Sequence, residues 1–255
     1  MAEIQAHRLF SSALRGILSV ASPQEVREIE TGSIQRAQEH YRKGFPILSL
    51  FSHMSREDGP HDLKFLAEEF PDRRGKIVMP IALHTHTSLK PVLKLTDIAY
   101  GVDWRPIVTQ RTIQEKKGKS TIEGLRAYLE QAMNAFQSGG IVSAALQAGG
   151  DLHTYGEPTT VFSTLARRIK RINKDKGVNN QANVGIQFIG IIPKHSLLDG
   201  RNAHGSQTLR TMRLHIGEFA LLNDVWNEVG DEPKSLDLWA HRQMKSTLPD
   251  WYTKS

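Results

Sequence analysis

Phe45-Pro46-Ile47-Leu48-Ser49-Leu50-Phe51 (FPILSLF, residues 45–51) follows Gly44 and runs straight into Ser52-His53-Met54-Ser55-Arg56-Glu57-Asp58-Gly59-Pro60. A compact apolar run of this length, opened by a turn-forming glycine, reads as a buried strand. The polar stretch after it is then a loop leaving the end of that strand. A histidine, His53, stands second in the loop, and an aspartate, Asp58, follows it five positions later.

The same grammar repeats outward from this stretch. Ile77–Leu83 (IVMPIAL) reads as a second strand, with Pro80 marking an edge or a bulge. Residues 106–109 (PIVT) form a third strand, 141–146 (IVSAAL) a fourth and 184–192 (VGIQFIGII) a fifth. Helical segments fall between them at 60–70 and 88–99. The clearest lies beyond Ser120, where Ser120 and Glu123 make a capping box. Ile122, Leu125, Leu129, Ala132 and Phe136 are its apolar stripe, and Gly139-Gly140 end it. A basic helix follows over 159–173, with a polar linker over 174–183. Strands alternating with helices predict an α/β fold, a mostly parallel sheet flanked by helices. Three segments are expected: an N-terminal helical segment (1–44), an α/β core (45–195) and a C-terminal extension packed on that core (196–255). Helices are expected over 4–20, 23–43, 215–227 and 235–245. Ligands in such folds sit beyond the carboxyl ends of the strands, which selects the loops after Phe51, Thr109 and Leu146.

Composition narrows the chemistry. The 255-residue chain has no cysteine, so disulfides, thiolate metal sites and a cysteine nucleophile are excluded. The formal charge of +6 favours anionic partners such as phospholipid surfaces, phosphorylated small molecules, acidic carrier proteins or nucleic acid, or else serves solubility alone. No run of residues is apolar and long enough to span a bilayer, and the first residues do not read as a signal peptide. A cytoplasmic protein that does not cross the membrane, with peripheral membrane association as an option, is the expectation. Residues 4–20 supply an amphipathic candidate for that association, with Leu9, Phe10, Leu14, Ile17 and Leu18 on one side and basic neighbours.

His53 and Asp58 suit general-base catalysis. A carboxylate bonded to one ring nitrogen fixes the imidazole tautomer and stabilises the imidazolium, leaving the other nitrogen to take a proton. The stretch resembles the H-x-S-x-x-D form of the H-x(4)-D motif of the glycerol-phosphate and lysophospholipid acyltransferase family, with Ser55 also matching. Gly101–Arg111 (GVDWRPIVTQR) is similar to the family's second block, a glycine, a short strand and a closing arginine that helps bind the acceptor phosphate. Arg111 takes that place here. The third block departs from the family. Where the family carries an F-P-E-G-T-R-like turn, this chain has Leu146-Gln147-Ala148-Gly149-Gly150-Asp151. Only Gly149 matches, the family's glutamate falls on Ala148 and its arginine on Asp151. Val184–Pro193 resembles the fourth block.

The resemblance implies a glycerolipid-acyltransferase-like fold. His53 and Asp58 would be catalytic, and Ser55, Arg111 and Gly149 would bind substrate. The implied partners are an acyl donor thioester, from acyl-CoA or acyl carrier protein, and a lipid or phosphorylated alcohol acceptor. An anionic membrane surface is a further implied partner, and no cofactor or metal is implied. The altered 146–151 turn leaves open a non-catalytic lipid-binding relative. A third reading is a metal-dependent hydrolase, with His84 and His86 alternating on one strand end beside Asp151 and His153. The basic helix, with Arg167, Arg168, Lys170 and Arg171, reads either as a solvated face or as a contact for anionic lipid or carrier protein. No interleaved aromatics accompany these charges, so nucleic acid is not expected.

Overall fold

A computed structural model describes residues 24–53, 58–71, 77–107, 121–146, 159–176, 183–193 and 211–249. The strands are β1 (Gln24–Ile29), β2 (Ile47–Phe51), β3 (Ile77–Ala82), β4 (Val102–Ile107), β5 (Ile141–Ala145), β6 (Gly185–Pro193), β7 (Thr211–Ile216) and β8 (Ala220–Leu221). They form one sheet in the order β1-β7-β6-β2-β5-β3-β4, with β8 on β6. The helices are α1 (Ser33–Arg42), α2 (Asp58–Glu69), α3 (Leu83–Ser88), α4 (Lys90–Tyr100), α5 (Thr121–Gln137), α6 (Val161–Lys176), α7 (Leu222–Val229) and α8 (Pro233–Ser246).

The expected α/β class is observed: strands β2 to β6 run parallel, while β7 and β8 pair antiparallel with β6. All five residues of β2 are buried because the strand is central and covered on both faces. Leu48, Leu50, Val142 and Phe188 face one core, built with α5, α6, α7 and α8. Ile47, Phe51, Ile141 and Ile189 face the other, built with α1, α2 and α4. The alternation of β-strand side chains sorts neighbours to opposite faces.

The chain moves outward from β2 to β3 and β4, returns as β5 beside β2, and then crosses to β6 on the other side of β2. Helix α2, after β2, and helix α6, after β5, therefore pack on opposite faces. That reversal falls between the carboxyl ends of β2 and β5, the kind of position at which open α/β sheets form a ligand-binding crevice.

Pro80 stands inside β3 without disturbing it. Ile77 donates its N–H to Gly101 at 2.9 Å, so even-numbered residues of β3 face β5. Pairing with β5 covers only Ile77 and Val78, so the proline's missing N–H falls where no ladder bond is required.

Several local expectations are corrected. Residues 23–43 are not one helix: β1 occupies 24–29 in parallel register with β7, and only 33–42 are helical. The expected N-terminal helical segment thus contains an edge strand. The helix expected over 215–227 is β7, β8 and the shorter α7. The third strand spans 102–107 rather than 106–109. On α5, Leu125 is exposed, and Tyr128 and Met133 join the buried side instead. Gly124 explains the rotation: a Cβ there would stand 2.7 Å from the Pro106 carbonyl oxygen, so α5 turns its glycine onto β4 and Leu125 outward. Gly139, at φ 71°, ends α5 in the left-handed conformation that glycine adopts without strain. Ser120, the side chain of Glu123 and the stretch 4–20 lie outside what is described.

Candidate active site

His53 lies two residues beyond the end of β2, at the mouth of the crevice. The chain before it is pinned to β6. Ser52 is fully buried; its N–H donates to the Ile189 carbonyl at 3.1 Å, and its Oγ accepts the Ile191 N–H at 2.8 Å. The same hydroxyl lies 3.3 Å from the Ile191 carbonyl. A buried serine satisfied in this way extends strand-like order past Phe51. The His53 ring is half-buried and stands edge-on to Phe51, with centroids 6.4 Å apart.

Asp58 is the first residue of α2. The packing of α2 is set one turn further on. Asp62 is fully buried, and one carboxylate oxygen accepts the Ser49 hydroxyl at 2.8 Å while the other accepts the Ser143 hydroxyl. Ser49 and Ser143 are register partners on β2 and β5. One carboxylate therefore ties α2 to the two strands that border the crevice. Burial pushes the Asp62 carboxyl up to about 6, against the opposing effect of the two hydroxyl bonds. The Tyr128 hydroxyl, from the other face, donates to the Ser143 carbonyl at 2.8 Å, and burial followed by the nearby Asp62 charge raises its pKa.

The carboxyl end of β5 is fastened by the C-terminal helices. Leu146 donates its N–H to the Phe51 carbonyl at 3.1 Å. The Leu146 carbonyl in turn receives the Thr159 N–H at 3.2 Å and the Thr159 hydroxyl at 2.8 Å. The chain thus leaves the sheet at Leu146 and rejoins α6 beside the same carbonyl. A further bond to that carbonyl comes from the buried His241 of α8, whose pKa burial lowers to about 4, with Lys245 acting in the same direction. One turn earlier on α8, Asp237 accepts the Ser163 N–H at 2.9 Å and the Ser163 hydroxyl at 2.7 Å. This caps the first turn of α6 from outside the helix. Burial raises the Asp237 pKa, opposed by its bonds to Ser163.

Of the residues singled out in the sequence, His53 and the backbone of Asp58 are thus brought to the crevice. Ser55, Arg111 and Gly149 lie outside the described residues. Arg105, on β4, is bonded to Asp103 at 2.5 Å.

The histidine pair of the hydrolase reading is corrected. His84 and His86 lie on helix α3, not on a strand end, and helical residues two apart do not share a face. Among the described residues no group of potential ligands could hold a metal ion; Asp151 and His153 are not among them. The basic residues of α6 point to solvent, and Lys170 is tied to Asp231 at 2.6 Å and lies over the Trp226 ring. A groove lined by Arg36, His40, Phe219, Asp224 and Trp239 opens at the opposite, amino-terminal edge of the sheet. Its charges are of mixed sign, with Arg36 3.5 Å from Glu218, and it is remote from His53.

Ser49, Asp62, Ser143, Asp237 and His241 were not singled out in the sequence. Two of them had a legible signal: FPILSLF and IVSAAL each carry one serine inside an otherwise apolar strand, and a buried hydroxyl requires a partner. No protein-family model matches the chain, and no curated protein matches it at a significant level.

Proposed function

We propose that the protein transfers an acyl group from a thioester, carried by CoA or acyl carrier protein, to a hydroxyl of a glycerolipid or phosphorylated alcohol. The observation that carries this reading is the position of His53 at the end of the central strand, in the crevice where the strand order reverses. His53 takes the proton of the acceptor hydroxyl. Asp58, at the start of α2, orients the ring and balances the imidazolium charge. The acceptor oxygen attacks the thioester carbonyl, the new C–O bond forms, and the C–S bond breaks. The departing thiolate recovers the proton from His53, so no covalent enzyme intermediate and no cofactor are needed. Backbone N–H groups after His53 hold the oxyanion, and Ser55 binds substrate. Arg111 grips the acceptor phosphate, and Gly149 gives it close approach to the backbone.

Among the described residues no helix is long and apolar enough to cross a membrane. The test is a screen of acyl-CoA and acyl carrier protein donors against glycerol phosphate, lysophospholipid and simple alcohol acceptors, reading thiol release. Acceptor-dependent release supports the reading. Lipid binding without release from any pair would replace it with a non-catalytic lipid-binding role, which the substitution of Asp151 for the family's arginine favours.

A further inference from the structure

Helix α4 begins at the same edge of the sheet as the candidate site. Strand β3 ends at Ala82, α3 follows at once, and α4 runs back from Lys90 to Tyr100, where Gly101 turns the chain into β4. One side of α4 is core: Leu93, Ala99 and Tyr100 are buried. Its first two turns also carry Leu89, at the cap, and Val92 and Leu95, exposed by 44, 48 and 41% respectively. Residues three apart are neighbours along a helix, so the three form a continuous apolar strip.

Single exposed apolar residues are ordinary on protein surfaces, but a contiguous strip is not. Only six large apolar side chains are exposed among the described residues, and half of them fall in these seven positions. Lys90 and Lys94 are exposed on the same helix and border the strip. An apolar strip edged by lysines matches the interface of an anionic bilayer: the apolar side chains enter the acyl boundary while the ammonium groups meet lipid phosphates. A protein partner would satisfy the leucines but leave two lysines needing acidic counterparts, whereas an anionic bilayer supplies both.

We propose that the Leu89–Val92–Leu95 face of α4, with Lys90 and Lys94, docks the protein on an anionic lipid surface with the His53 edge toward the bilayer. The choice of a lipid partner rests on the acyltransferase reading; the docking itself is measured without it. The test is cosedimentation of the full chain with vesicles of phosphatidylcholine alone or mixed with phosphatidylglycerol. The wild type should pellet with the mixed vesicles and less at high salt, where lysine contacts are screened. Val92→Asp/Leu95→Asp should lower the bound fraction at least about fivefold. Lys90→Glu/Lys94→Glu should lower it about tenfold on mixed vesicles and leave the weak binding to phosphatidylcholine unchanged. Circular dichroism, and thiol release with a water-soluble acceptor, should match wild type in both variants. Loss of binding with intact folding upholds the docking face even if no donor and acceptor pair reacts. Wild-type-like pelleting of Val92→Asp/Leu95→Asp overturns it, as does a wild type that stays in the supernatant. Dimerisation abolished by the same substitution, with vesicle binding unaffected, assigns the strip to a second copy of the chain and also overturns it.

Discussion

A buried carboxylate holds a helix on each face of the sheet, and the two are held differently. Asp62 reaches down from α2 to the hydroxyls of Ser49 and Ser143 in the sheet itself. Asp237 reaches sideways from α8 to the first turn of α6, accepting a backbone N–H and a hydroxyl from Ser163. The first acid meets only neutral hydroxyls in a fully enclosed site, so burial dominates and its carboxyl titrates near 6. The second also receives a helix N-terminus, whose partial positive charge favours an anion. The contrast separates two tasks. Asp62 sets α2, and with it Asp58, against the strands bordering the crevice. Asp237 and His241 set the two ends of the 147–158 segment, which contains Gly149.

If both clamps are scaffold and His53 is the reacting group, the variants divide cleanly. His53→Ala should lower thiol release by roughly 100- to 10,000-fold with an unchanged urea midpoint, and Asp58→Asn should be severe but milder. Activity within a few-fold of wild type would remove His53 as the base. Asp62→Ala leaves two buried hydroxyls without their acceptor and should lower unfolding free energy by about 2–3 kcal/mol, read from urea denaturation. A loss below about 0.5 kcal/mol, the range of ordinary surface substitutions, would deny it the anchoring role. Asp237→Ala removes a helix cap and should cost less, about 1–2 kcal/mol. A larger loss there than at Asp62 would reverse the ranking of the two clamps.

The subtlest effect is in pH dependence, where the two faces oppose each other. The folded protein holds the Asp62 proton more tightly than the unfolded chain does. The stability from that group is complete below 3.8 and is lost as pH rises through about 6. The His241 pKa is lowered instead: its contribution is complete above 6.5 and is lost as pH falls through about 4. On going from pH 7 to pH 5, the stability advantage of wild type over Asp62→Asn should therefore grow, and its advantage over His241→Gln should shrink. Urea midpoints at the two pH values check both signs, and equal changes would show that neither group titrates as its surroundings require.

Much of the central sheet was legible. FPILSLF, IVMPIAL, IVSAAL and VGIQFIGII are apolar runs bounded by turn signals, and all four are strands because both faces of the inner sheet are covered. The margins were not. QEVREI and TMRLHI mix charged and apolar residues in a way that fits a helix as well as a strand, and only their parallel pairing as β1 and β7 decides between them. The HTH stretch failed for the same reason: three polar residues carry no period, and the helix that follows β3 sets their direction.

The sequence alone determined that His53 follows a buried strand, that the chain alternates strand and helix, and that a carboxylate stands five positions beyond the histidine. These are local facts, set by apolar periodicity and turn residues. Which strand is central, which strands flank it and which edge the loops share were decided by the tertiary structure. Strand order depends on contacts between residues far apart in the chain: Ser49 meets Ser143 and Asp62, and Leu146 meets Thr159 and His241. No period in the sequence encodes those pairings. They follow from the packing of two cores on one sheet, and from the need of each buried polar group for a partner.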